Sequence, residues 1–110
     1  PLKVSILSAR GLRDADWVPG SRKSDPYCVC EVQGKPRARV QTEVILDMLS
    51  PEWSYEAELP HYEAGDALTF TVLDRDPLTS DELLGSATLA AEMFRLADFH
   101  GELSLVDGRG

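Results

Sequence analysis

Two histidines and two cysteines are the whole supply of imidazole and thiol groups in these 110 residues. Cys28 and Cys30 sit at i and i+2, on one face of a strand, an awkward geometry for bridging each other, which favours a reduced, intracellular setting. His61 and His100 have no paired spacing, so a zinc site begun by Cys-x-Cys lacks its other two ligands. No Gly-x-Ser-x-Gly elbow, phosphate loop or His-Glu-x-x-His helix occurs, and the chain reads as a non-enzyme. Basic residues are scarce as well. Eleven Lys and Arg against nineteen Asp and Glu give a net charge of −8, the wrong sign for gripping a phosphate backbone, which excludes a general nucleic-acid binder. No apolar run approaches the ~20 residues of a spanning helix, and a hydrophobic content of 43% excludes disorder. The length fits one domain, residues 1–110.

What the chain does have is strict two-residue alternation, which only a strand turns into one apolar face. Leu2, Val4 and Ile6 alternate with Lys3 and Ser5, and Cys28, Cys30 and Val32 alternate with Val29, Glu31 and Gln33. Ala38, Val40, Thr42 and Val44 oppose Arg37, Arg39, Gln41 and Glu43. Trp53, Tyr55, Ala57 and Leu59 alternate with Ser54, Glu56 and Glu58, and Leu68, Phe70 and Val72 with Thr69 and Thr71. A sixth strand is expected over Leu83 to Leu89 and a seventh over Gly101 to Val106. Leu89, Met93 and Leu96, at i, i+4 and i+7, predict one short helix between them. Many short strands with turns between them imply an all-β, antiparallel two-sheet sandwich.

Aspartates gather where strands end. The run from Asp74 to Glu82 carries four carboxylates and one cation, Arg75. Two like charges about 5 Å apart at an effective dielectric near 20 repel by roughly 3 kcal/mol, a strain that a hard divalent cation relieves. Calcium accepts six to eight oxygens in flexible geometry and suits carboxylates contributed by loops, while the spacing here fails the EF-hand pattern. A second acidic stretch, Asp14 to Asp25, lies after the first strand, and two acidic loops at one end of a sandwich can share a metal.

At this point the sequence resembles a family. Leu2-Lys3-Val4-Ser5-Ile6, Ala9-Arg10-Gly11-Leu12, Ser24-Asp25-Pro26-Tyr27, Ser50-Pro51-Glu52-Trp53, Val72-Leu73-Asp74-Arg75-Asp76 and Leu84-Gly85 are together similar to a C2 domain, over residues 2 to 90 in order. That is the calcium-dependent phospholipid-binding module of protein kinase C and the synaptotagmins. The resemblance implies a Greek-key sandwich with two or three Ca2+ ions between loops at one end. It makes Asp25, Asp74 and Asp76 direct ligands. Asp16 takes the first-loop position, seven residues after Ala9, and Glu82 takes the last ligand's place, with Asp81 beside it as a substitute. From Asp16 to Asp25 is nine residues, longer than in many members, so the first loop carries an insertion. The resemblance also implies an eighth strand, which makes the chain a fragment unless something else supplies that strand.

The implied action is recruitment from the cytoplasm to an anionic phospholipid membrane when calcium binds. Trp17, Val18, Arg22 and Lys23 at the first loop's tip, with Leu78 in the other loop, are the expected membrane contacts. Lys35, Arg37 and Arg39 form a basic row where members often carry a headgroup site. The alternative is a calcium-independent interaction or scaffold module whose protein partner completes the open sheet edge.

Overall fold

Each regular alternation becomes a strand. The computed structural model describes residues 2–12 and 24–106, in which six strands run in order: β1 (Leu2–Ser8), β2 (Pro26–Val32), β3 (Lys35–Gln41), β4 (Glu52–Leu59), β5 (Leu68–Asp74) and β6 (Glu82–Leu89). One sheet has the order β3-β2-β5-β6, and β1 pairs β4 in a second; all pairings are antiparallel. The all-β sandwich expected from the sequence is therefore the fold.

The two sheets share one core. Val4, Ile6, Trp53 and Leu59 of the smaller sheet join Cys28, Cys30, Val32, Ala38, Leu68, Val72, Leu84 and Leu89 of the larger. Complete burial of a Val, Leu or Ile contributes about 1.5–3 kcal/mol, which is why these positions dictate the register. Both cysteines are free and buried, and burial pushes each thiol up to about 12, so neither is a nucleophile at neutral pH. Trp53 lies in the core, as its alternating strand predicts, and its indole N–H donates to the Pro26 carbonyl 3.4 Å away, joining β4 to the start of β2.

Register carries a charge to the end of this core. Pro26, Cys28, Cys30 and Val32 of β2 lie opposite Asp74, Val72, Phe70 and Leu68 of β5. The inward file of β5 thus runs Leu68, Phe70, Val72 and then Asp74, and the last of these is only 5% exposed.

Two elements differ from expectation. Gly101 to Val106 forms no strand ladder and meets the sheet at a single bridge, Ser86 with Val106, through paired 2.8 Å hydrogen bonds. What holds it there is side-chain packing: Leu105 lies so close over Gly85 that a Cβ at Gly85 would stand 2.8 Å from the Leu105 Cβ. The short helix is one 3-10 turn, Ala91–Met93. Leu89 is committed to β6, opposite Leu68, while Met93 and Leu96 are exposed, so no apolar stripe remains to support a longer helix.

Candidate functional site

Three loops leave the sandwich at one end: the one between β1 and β2, of which residues 9–12 and 24–25 are described, and residues 42–51 and 75–81. Main-chain bonds tie the first two together, with Ala9 N–H to Pro51 O and Leu12 N–H to Leu49 O, both 3.0 Å, and Met48 N–H to Ser24 O, 2.9 Å. The Ser50 hydroxyl accepts the Gly11 N–H at 3.2 Å. Ile45 N–H reaches Pro26 O and Arg75 N–H reaches Asp25 O, each at 3.0 Å, so all three loops brace against the start of β2.

Asp25 is the hub. Its main-chain N–H donates to Asp74 Oδ1 at 2.8 Å, and its own Oδ1 accepts the Asp47 N–H at 2.7 Å. Asp47 has φ 56, a left-handed conformation that aspartate tolerates better than most residues, and this turns its amide toward Asp25. The middle loop, which sequence reasoning had not placed in the site, is thus part of it. Its signal was present in the sequence: Ile45, apolar where the preceding strand's pattern calls for a polar residue, breaks the alternation just before Leu46, Asp47 and Met48. Leu46 is 65% exposed.

Asp74 lies opposite both Pro26 and Glu82, so Asp74 and Glu82 face each other at the ends of β5 and β6, and Asp25 is the residue immediately before β2. Directly opposed residues of an antiparallel pair have Cβ atoms about 4.5–5.5 Å apart. Asp76 instead folds into its own loop, with Oδ1 accepting the Leu78 N–H at 2.9 Å and the Thr79 N–H at 3.3 Å, and Oδ2 accepting the Thr79 hydroxyl at 2.7 Å. The Leu78 amide and the Thr79 hydroxyl hold the Asp76 carboxyl below its usual range. Asp81 closes the same loop: Oδ1 accepts the Asp76 N–H at 2.9 Å, and Oδ2 accepts the Tyr27 hydroxyl. Those two bonds, the amide first, lower its pKa too, while burial and then the Asp81 bond push the Tyr27 phenol up to about 12.

The donors suit a hard cation, since every one is a carboxylate oxygen and Asp25 Oδ2 carries no hydrogen bond among the described residues. Among those residues, no three His, Cys, Asp or Glu side chains converge as a metal-holding group. Asp16, with the expected membrane residues Trp17, Val18, Arg22 and Lys23, lies outside the described residues. Leu78 is 91% exposed at the tip of the third loop.

The basic row runs toward the opposite end. Lys35 Nζ is held by Glu63 at 2.6 Å and Asp66 at 2.8 Å, and it reaches the His61 carbonyl at 3.4 Å. Asp66, then Glu63, raise the Lys35 pKa, and the Lys35 ammonium lowers that of Asp66. Arg39 bonds Gln41 at 3.1 Å, and both arginines of the row are exposed. Lys35 and Arg37 line a shallow depression of about 410 Å³ with Pro36, Ala38 and His61.

A family model described as the C2 domain matches residues 1–103. This chain belongs to the C2 domain family. The mouse multiple C2 and transmembrane domain-containing protein 2 is 35% identical over 88 residues, which are 80% of this chain and 9% of that protein. Calcium-bound extended synaptotagmin 2, solved as a pair of C2 domains, is 32% identical over 80% of this C2 domain and 33% of the solved chain, with a TM-score of 0.62. A C2 domain of Drosophila RIM, 15% identical, shares the fold over 94% of this chain and 84% of its own, with a TM-score of 0.75. The chain spans between 9% and 11% of the length of the first curated relatives it matches. No helix among the described residues of this C2 domain is long and apolar enough to cross a membrane.

Proposed function

We propose that this C2 domain binds anionic phospholipid membranes in response to calcium, through the three loops at the Asp25 end. The observation that carries the reading is the register that sets Asp74 opposite Glu82, with Asp74 buried and bonded to the Asp25 N–H at 2.8 Å. Calcium-bound extended synaptotagmin 2 supports it as a relative of the same fold. Asp25, Asp74, Asp76 and Glu82 would hold the ions with Asp16 of the first loop, and Asp81 would serve through its grip on the third loop. Each calcium ion adds two positive charges to an end that otherwise repels an anionic surface. Exposed Leu78, together with Trp17 and Val18 of the first loop, would enter the lipid, flanked by Arg22 and Lys23. Vesicle sedimentation tests this: partition onto phosphatidylserine-containing vesicles is expected with calcium and not with chelator, and equal partition in both refutes it.

A second reading has its own support. No carboxylate trio converges among the described residues, and β1 and β4 form a two-stranded sheet beside one of four. A scaffold module that takes a partner's strand on that sheet fits both observations. It predicts no calcium uptake by calorimetry up to millimolar concentrations.

A further inference from the structure

The third loop, residues 75–81, is held largely by its own bonds: Asp76 accepts from Leu78 and Thr79, and Asp81 Oδ1 accepts the Asp76 N–H. Among the described residues, two hydrogen bonds tie it to other elements. At its root the Arg75 N–H donates to Asp25 O at 3.0 Å, and from the side the Tyr27 hydroxyl of β2 donates to Asp81 Oδ2. Register gives the side. Pro26, Asp74 and Glu82 form one cross-strand row, and Tyr27, Leu73 and Leu83 form the next. Successive residues of a strand face opposite ways, so Tyr27 stands on the outer face of the sheet while Asp74 is turned into the core.

We propose that Tyr27 is the positioning residue of the third loop, and that Asp81 is its tether and not a calcium ligand. Asp81 spends one oxygen on the Tyr27 hydroxyl and the other on the Asp76 amide, so a continuous chain from β2 fixes the backbone from which the Asp76 carboxylate projects. An ion shared by Asp74, Asp76 and Glu82 needs all three in one arrangement. A loop already held there spares the ion the entropy of ordering it, which is how pre-organisation raises affinity. Without the phenolic hydroxyl that cost falls on the ion, and affinity drops although no ligand has changed. Asparagine at position 81 keeps both links, because its carbonyl accepts the Asp76 N–H and its amide donates to the Tyr27 oxygen, which serves as donor or acceptor. The assignment rests on the calcium reading, and it names the residue outside the metal site that sets how tightly calcium is held.

Calorimetric calcium titration of this chain, beside melting curves in chelator, tests it. Tyr27→Phe is expected to weaken calcium uptake about threefold to tenfold, the range one net hydrogen bond covers. Asp81→Ala should weaken it at least as much, Asp81→Asn should recover most of that loss, and Tyr27→Phe combined with Asp81→Ala should be no weaker than Asp81→Ala alone. A lowered melting temperature with unchanged calcium affinity in Tyr27→Phe gives Tyr27 a purely structural part and overturns the proposal, as do additive losses in the double variant. Asp81→Asn that loses calcium as completely as Asp74→Asn makes Asp81 a ligand and overturns the tether. If Tyr27→Phe fails in these ways while wild type takes up calcium, the calcium reading stands; absence of uptake by wild type overturns both.

Discussion

The amide of Asp25 donates to the carboxylate of Asp74 across 49 residues of sequence, at 2.8 Å, and the Asp25 carboxylate passes the link on to the Asp47 amide at 2.7 Å. Two residues of the acidic end thus organise the loops before any ligand arrives. One carboxylate closes the core of β5, and the other pins the middle loop.

Removing the acceptor and removing the charge should therefore separate. Asp74→Ala leaves the Asp25 N–H without its acceptor in a part-buried position, a loss of about 1–3 kcal/mol, whereas Asp74→Asn retains an amide oxygen and should cost less than half as much. Both variants should lose calcium uptake. Urea denaturation read beside a calcium titration checks the pair, and equal stability losses would contradict the structural half of the role.

Gly85 exists for Leu105. An alanine there places its Cβ 2.8 Å from the Leu105 Cβ, too close for either to stay. Gly85→Ala should cost about 1–3 kcal/mol and lift the 101–106 segment from β6. Amide exchange at Ser86 and Val106, whose paired bonds are the single bridge to that segment, should accelerate selectively while Val29 and Cys30 remain protected.

The third loop should be sensitive to pH at both ends. Asp76 and Asp81 have lowered pKa values in the folded protein, so the unfolded chain takes up protons first as pH falls. Their contribution is complete above the ordinary aspartate value of about 4 and is lost as pH drops through the depressed folded values. Tyr27 shifts the other way, from 10.0 to about 12, so its contribution is complete below 10 and fades as pH rises toward 12. Tyr27→Phe should abolish a delayed step in the phenolate absorbance titration and flatten the alkaline fall in stability; a titration without that step in wild type counts against the Tyr27–Asp81 bond.

Lys35 should matter to the fold's far end and not to its membrane end. Its ammonium is shared between Glu63 and Asp66, a partly exposed cluster that salt screens. Lys35→Gln is expected to lower the melting temperature slightly, with the difference shrinking in high salt, and to leave vesicle partition unchanged. If headgroups do bind the basic row, Arg37→Gln should weaken partition more than Lys35→Gln, because Arg37 makes no ion pair among the described residues.

Much of this molecule was legible from residue order alone. The inward files Val4–Ile6, Cys28–Cys30–Val32, Trp53–Leu59 and Leu68–Val72 follow from period two, because a strand has only two faces and burial favours one of them. The family likeness likewise rested on short motifs whose spacing survives in the linear chain. Where Leu89 to Leu96 suggested a helix, the same spacing was claimed by a competing strand, since Leu89 can serve only one element.

What a carboxylate does at a loop end was decided in three dimensions. Asp76 and Asp81 look alike in sequence, yet one caps its own turn while the other clasps Tyr27 and the Asp76 amide. Lys35 reads as a free cation until the turn after β4 brings Glu63 and Asp66 against it. Leu46 joins the acidic end only because β3 and β4 deliver the middle loop there. Composition and periodicity determine which face of each strand is buried, since that is a local balance between side chain and water. The partners of a charge depend on which distant segments the register sets beside it, and only the assembled sandwich specifies those.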